Sequence, residues 1–89
     1  MTEKEMFEVL YKRHGKMKVN LAEACRNRDF GMSYSKASKY FGGKDALSDS
    51  IILKNRILPK WEKEKNGIKM WKLTEIAKWL VETEEKNAK

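Results

Sequence analysis

Between Thr2 and Gly15 the apolar residues fall at Met6, Phe7, Val9, Leu10 and Tyr11, a helical spacing rather than a strict alternation. Thr2 followed three positions later by Glu5 has the spacing of a capping box, and Gly15 supplies a stop, so a helix is predicted over about Glu3 to His14. Lys16-Met17-Lys18-Val19 alternates polar with apolar and predicts one short strand. Asn20 with Glu23 repeats the capping signature and opens a short helix, Leu21 to Arg28, whose Leu21, Ala24 and Cys25 share a face. Asp29-Phe30-Gly31-Met32 interrupts it, and Ser33 caps the next helix. In that helix Tyr34, Ala37 and Phe41 fall on one side, and Gly42-Gly43 ends it. A further helix is predicted over Lys44 to Asn55, with Ala46, Leu47, Ile51 and Leu53 as its apolar side.

The pattern then changes period. Trp61 to Lys65 and Ile68 to Leu73 flank Asn66-Gly67, a dipeptide that accepts positive φ at both positions of a tight hairpin turn. As a two-residue turn it would place Lys65 opposite Ile68, Glu64 opposite Lys69, Lys63 opposite Met70 and Glu62 opposite Trp71. Trp71 and Leu73 would then point with Leu58 toward the core, and Pro59 is tolerable at a strand start. Lys16 to Val19 could add a third strand. Thr74 is expected to cap the last helix, Glu75 to about Glu84, leaving residues 85–89 as a short charged tail. The predicted fold class is therefore mainly α with a small β-sheet, α+β, in the order helix, strand, helix, helix, helix, hairpin, helix, with one domain over residues 1–84.

Length and charge narrow the partners. At 89 residues the chain holds one modest core, small for a catalytic pocket. Its net charge of +7 and pI near 9.6 imply a polyanionic partner, with nucleic acid ahead of an acidic protein or a membrane surface. Cys25 is the only cysteine, which excludes an intrachain disulfide and a cysteine-rich zinc site, and its setting suits a small buried hydrophobe. His14, the only histidine, falls at a helix end where it favours the C-terminal dipole. One His, one Cys and scattered carboxylates make no recognisable acid, base, nucleophile or metal set, so no enzyme activity and no cofactor or metal is expected. No run approaches the ~18 apolar residues of a membrane span. The start Met1-Thr2-Glu3-Lys4-Glu5 lacks the order of a signal peptide, so a cytoplasmic, nucleoid-associated protein is expected.

Two basic segments stand out. At about 100° per residue, Ser35, Lys36, Ser38 and Lys39 share the arc opposite Tyr34 and Ala37. A small, polar, cationic arc can approach a groove closely, although an ordinary solvated helix face has the same composition. Lys63, Lys65 and Lys69, around Asn66, make the hairpin tip a candidate for the phosphate backbone, and Arg26 and Arg28 could add phosphate contacts.

The chain resembles the winged helix-turn-helix family over nearly its whole length, from Glu5 to about Glu82. Leu21-Ala22-Glu23-Ala24 through Ser33-Tyr34-Ser35-Lys36-Ala37-Ser38-Lys39-Tyr40 looks like the family's paired helices. Gly67-Ile68-Lys69-Met70-Trp71-Lys72-Leu73-Thr74-Glu75 looks like its second wing strand running into the closing helix. The resemblance implies a recognition helix in the major groove of double-stranded DNA and a wing on the neighbouring backbone or minor groove. It departs from the family in a longer turn, Asn27 to Met32, and in the extra helix after Lys44. Family position would select Asp45 to Asn55 as the recognition helix, and chemistry selects Ser33 to Phe41, because Asp45 and Asp49 would be repelled by phosphates.

Both terminal helices carry wide apolar arcs, so a homodimer is expected through Met6, Val9, Leu10, Trp79 and Leu80. The expected function is that of a sequence-specific, dimeric transcriptional regulator, with Ser33, Tyr34, Ser35, Lys36, Ser38 and Lys39 at the groove. The alternatives are an architectural or partition protein that spreads along DNA, and a winged-helix module that binds an acidic protein partner.

Overall fold

The computed structural model describes residues 2–44 and 46–87, the last four of them as backbone only. Among the described residues five helices surround a three-stranded antiparallel sheet. The order is α1 (Glu3–His14), β1 (Lys18–Asn20), α2 (Leu21–Arg26), α3 (Tyr34–Lys39), α4 (Asp49–Lys54), β2 (Glu62–Lys63), β3 (Lys69–Lys72) and α5 (Leu73–Asn87). The α+β class and the three-stranded sheet are as expected.

Local chemistry sets most helix starts. Thr2 and Glu5 form a reciprocal capping box on α1, and Gly15 closes it in the left-handed conformation at φ 70°. Asn20 and Glu23 do the same at the start of α2. Ser33 accepts from the Lys36 amide at the start of α3. α2 ends two residues earlier than the pattern suggests, because Arg28 takes φ 59° and the Asp29 and Arg28 amides bond back to the Ala24 and Cys25 carbonyls.

α4 corrects the sequence reading. It starts after Ser48, whose hydroxyl accepts from the Ile51 amide, so Lys44 and residues 46–48 are not helical. Asp45 lies outside the described residues. The shift changes the buried face: Ile52 is fully buried, whereas Ile51, Leu53 and Ala46 are exposed.

The sheet runs β1-β3-β2, with Lys18 opposite Lys72, Val19 opposite Trp71, Glu62 opposite Met70 and Lys63 opposite Lys69. That last register is one residue away from the expected one. The hairpin closes through a three-residue loop: the Gly67 amide bonds to the Glu64 carbonyl at 2.8 Å, and the Glu64 amide to the Ile68 carbonyl at 2.9 Å. Only Gly67 is left-handed there, at φ 82°, while the Asn66 side chain accepts from the Ile68 amide at 3.2 Å. A one-residue slip exchanges the faces of β2. Trp61, with its ring centroid 5.7 Å from that of Trp71, therefore lies on the core side. Glu62 turns to the outer face and meets Lys72 and Lys18.

β3 passes into α5 without a loop. Leu73 is already helical and its amide donates to the Met17 carbonyl at 2.9 Å, so Thr74 sits inside the first turn and is not the cap. α5 continues to Asn87, past the expected end near Glu84; Ala88 and Lys89 of the expected tail lie outside the described residues.

The core is centred on Trp71, fully buried, whose indole donates to the Pro59 carbonyl at 2.8 Å. Leu10, Val19, Ile52, Leu58, Leu73 and Ile76 pack around it, and Phe30 meets it edge-on at 5.3 Å. α1 lies along α5. Leu10 is thus spent inside the domain, and Trp79 bonds through its indole to the Arg56 carbonyl at 2.8 Å and packs on Phe30. Leu10 is therefore not a spare interface residue, which corrects the expectation for it, while Trp79 is half-buried. Met6 and Leu80 stay half-buried and Val9 exposed.

Candidate nucleic-acid interface

The turn from Asn27 to Met32 is long but not loose. Asp29 is buried, and its carboxylate accepts from the Arg13 guanidinium and from His14 Nε2 at 2.5 Å, both at the end of α1. Phe30 plugs into the core beside it. These two side chains are the anchors of α3's approach, and no local signal in the sequence marks them as such, since their partners lie far along the chain.

α3 buries Ala37 and presents Tyr34, Ser35, Lys36 and Lys39 outward. Tyr34, which the pattern places on one side with Ala37, is 53% exposed while Ala37 is fully buried. The serines are unequal. Ser33 is occupied as a cap, and the half-buried Ser38 donates back to the Ser35 carbonyl at 3.1 Å. Among the described residues the Ser35 hydroxyl makes no hydrogen bond within the chain.

The cations divide into neutralised and free. On the outer sheet face Glu62 bonds Lys72 at 2.8 Å and Lys18 at 3.2 Å, and Glu64 lies 3.8 Å from Lys18. The bonds to Lys72 and Lys18 hold the Glu62 carboxyl below the usual carboxylate range, and Glu62 in turn raises the Lys72 ammonium. Lys63 lies 3.9 Å from Asp49, and Lys69 sits over the Phe41 ring, 4.6 Å from its centroid. Of the three hairpin lysines only Lys65 has no such partner among the described residues. Arg26, Arg28, Lys36 and Lys39 likewise form no ion pair among the described residues. Unpaired cations therefore stand on the α2–α3 turn and α3 as well as at Lys65 on the hairpin tip that the sequence emphasised, and Lys4, Lys12, Lys44, Lys54, Lys60 and Lys78 also form no ion pair among the described residues.

Two adjoining clefts join these elements. One, about 540 Å3, lies between α2 and α3 and is lined by Arg26, Arg28, Ser33 and Tyr34. The other, about 360 Å3, is bordered by Asn20, Tyr34, Ser38, Phe41, Ile68 and Lys69. Ala22 and Tyr34 belong to both, so the turn, α3 and the hairpin form one continuous surface. Ile68, 50% exposed at its edge, was not anticipated as part of it.

Among the described residues no group of three His, Cys, Asp or Glu side chains could hold a metal ion, and no helix is long and apolar enough to cross a membrane. Comparison with family models, with curated proteins and with solved structures finds no match to the chain.

Proposed function

We propose that the chain binds double-stranded DNA sequence-specifically as a dimeric winged-helix transcriptional regulator. α3 enters the major groove, and the β2–β3 hairpin acts as the wing on the neighbouring backbone or minor groove. The element order supports the winged-helix reading: a helix and strand, the capped α2–α3 pair, and then a hairpin whose second strand pairs with β1. α4 is the weaker candidate for recognition, since it carries the carboxylate of Asp49 in its first turn, beside Lys63.

The observation that carries the proposal is the partition of charge. Cations on the outer sheet face are neutralised in place, while Arg26 and Arg28 line the α2–α3 cleft and Lys36 and Lys39 stand exposed on α3, all four without an ion-pair partner among the described residues. The dimer is assigned to Met6, Val9 and Leu80 on the terminal helices, which would set two copies of α3 about one DNA turn apart.

Duplexes selected from a random pool, followed by anisotropy titration over a range of salt, test the reading. A symmetric motif should be enriched, and log K should fall against log salt with a slope of about −4 or steeper if at least four phosphates are neutralised. Salt-insensitive binding, or affinity unchanged in the Lys36→Ala, Lys39→Ala double variant, would sink the assignment.

A further inference from the structure

The α2–α3 cleft has a composition that folding does not account for. Arg26 and Arg28 line it together with Ser33 and Tyr34, and Cys25 and Met32 border it as well. No carboxylate lines it. The one acid of the turn, Asp29, is turned away and buried against Arg13 and His14, which removes its charge from the cleft.

Arg28 is the sharper observation. It occupies the left-handed position that closes α2, at φ 59°, where glycine is the usual residue because it has no Cβ to clash. The backbone there is held by the helix-closing bonds of the Arg28 and Asp29 amides to the Cys25 and Ala24 carbonyls, but the Arg28 side chain makes neither a hydrogen bond nor an ion pair among the described residues. Arg56 takes the same conformation after α4, at φ 54°, but its guanidinium is paired with Glu82, whereas that of Arg28 is left for an external partner. Guanidinium groups bind phosphate oxygens through paired N–H donors, and the hydroxyls of serine and tyrosine can donate to the same group.

We propose that this cleft is a phosphate clamp that grips one backbone phosphate of the duplex, beside the groove occupied by α3. The inference rests on the DNA-binding reading above and adds a built contact to it: the longer turn is the clamp, and the buried Asp29 holds it in place before DNA arrives. Arg26 and Arg28 then position the helix and carry little sequence preference of their own.

The test uses the full chain with Arg28→Gly and, separately, Arg26→Ala, which lies in regular helix and leaves the left-handed position untouched. Each variant should weaken binding of a selected duplex about tenfold near physiological salt and reduce the steepness of the salt slope by about one, with the selected motif unchanged. Arg28→Gly should at the same time raise the melting temperature by a few degrees, since glycine relieves the strained φ. Replacing single phosphates by methylphosphonate should yield one position at which the Arg28→Gly penalty disappears. Variants that keep full affinity and slope, while Lys36→Ala and Lys39→Ala lose them, would overturn the clamp and leave the DNA-binding reading standing. A wild-type chain with no salt-dependent binding would overturn both.

Discussion

Asp29 accepts a hydrogen bond from His14 Nε2 at 2.5 Å and shares its carboxylate with the Arg13 guanidinium, so one buried side chain ties the α2–α3 turn to the last turn of α1. Removing it leaves the His14 ring, itself 3% exposed, without its partner. Asp29→Ala should therefore cost about 3 kcal/mol in urea denaturation, the scale of a buried pair broken from one side. Arg13, whose side chain is 39% exposed, can turn to solvent, and Arg13→Ala should cost no more than about 1 kcal/mol. Equal effects of the two variants would contradict this division.

That anchor also marks where sequence reading ends. The caps at Thr2, Asn20 and Ser33 were legible because donor and acceptor lie within three residues. The Asp29 contacts to Arg13 and His14 span sixteen and fifteen positions and have no periodic trace. Between these extremes, α4 was read too long because Ala46 and Leu47 continue an apolar pattern that Ser48 actually interrupts. The hairpin was recognised but misregistered, because Asn66 keeps negative φ and uses its side chain in the turn, leaving Gly67 alone to supply the left-handed residue. At the candidate interface the cations were readable, but not which of them a carboxylate from another element neutralises. Lys63 and Lys65 look alike in sequence and differ only through Asp49.

Gly67 carries the hairpin register. An added Cβ would meet nothing within 4 Å, so the strain of Gly67→Ala comes from φ at 82° alone. We expect a loss of about 1 kcal/mol in chemical denaturation, partly offset by the lower entropy of the unfolded chain. A larger loss would indicate a packing role that the open surroundings do not provide.

Glu62 links the three strands, bonding Lys72 on the central strand and reaching Lys18 on the opposite edge. Its folded-state carboxyl titrates below its unfolded value, so this contribution is present above the unfolded pKa and fades as pH falls through the folded one. A carboxyl NMR titration should place its midpoint below 4.5. Glu62→Gln should remove the effect and let the Lys72 ammonium titrate lower than in the wild type, because Glu62 is the main cause of its raised value. Added salt should shrink both shifts, since the groups are exposed.

Cys25 behaves in the opposite sense. Burial, with a smaller push from Asp29, raises its thiol above the ordinary value of 9.0. The folded state then holds its proton where the unfolded state has lost it, so the contribution to stability is complete below the unfolded pKa and is lost as pH rises through the folded one. Iodoacetamide should label native Cys25 far more slowly than the urea-unfolded chain at the same pH. Cys25→Ala should flatten the alkaline decline in stability. Rapid native labelling would place the thiol at the surface, against its 5% exposure.

The proposed dimer separates two neighbouring positions on α1. Val9 is 39% exposed and Leu10 is 1% exposed, so their substitution should fail in different ways. Val9→Glu puts a charge at an exposed apolar position of the proposed interface while leaving the core intact. Sedimentation equilibrium should then show a folded monomer, and affinity for a two-half-site duplex should fall toward that for a single half-site. Leu10→Ala should instead cost about 2 to 5 kcal/mol of fold stability through the cavity it opens beneath α5. A wild-type chain that stays monomeric at about 100 µM, where mass action favours association, would remove the dimer from the proposal. The contacts of α3 and the hairpin would then have to be made one copy at a time.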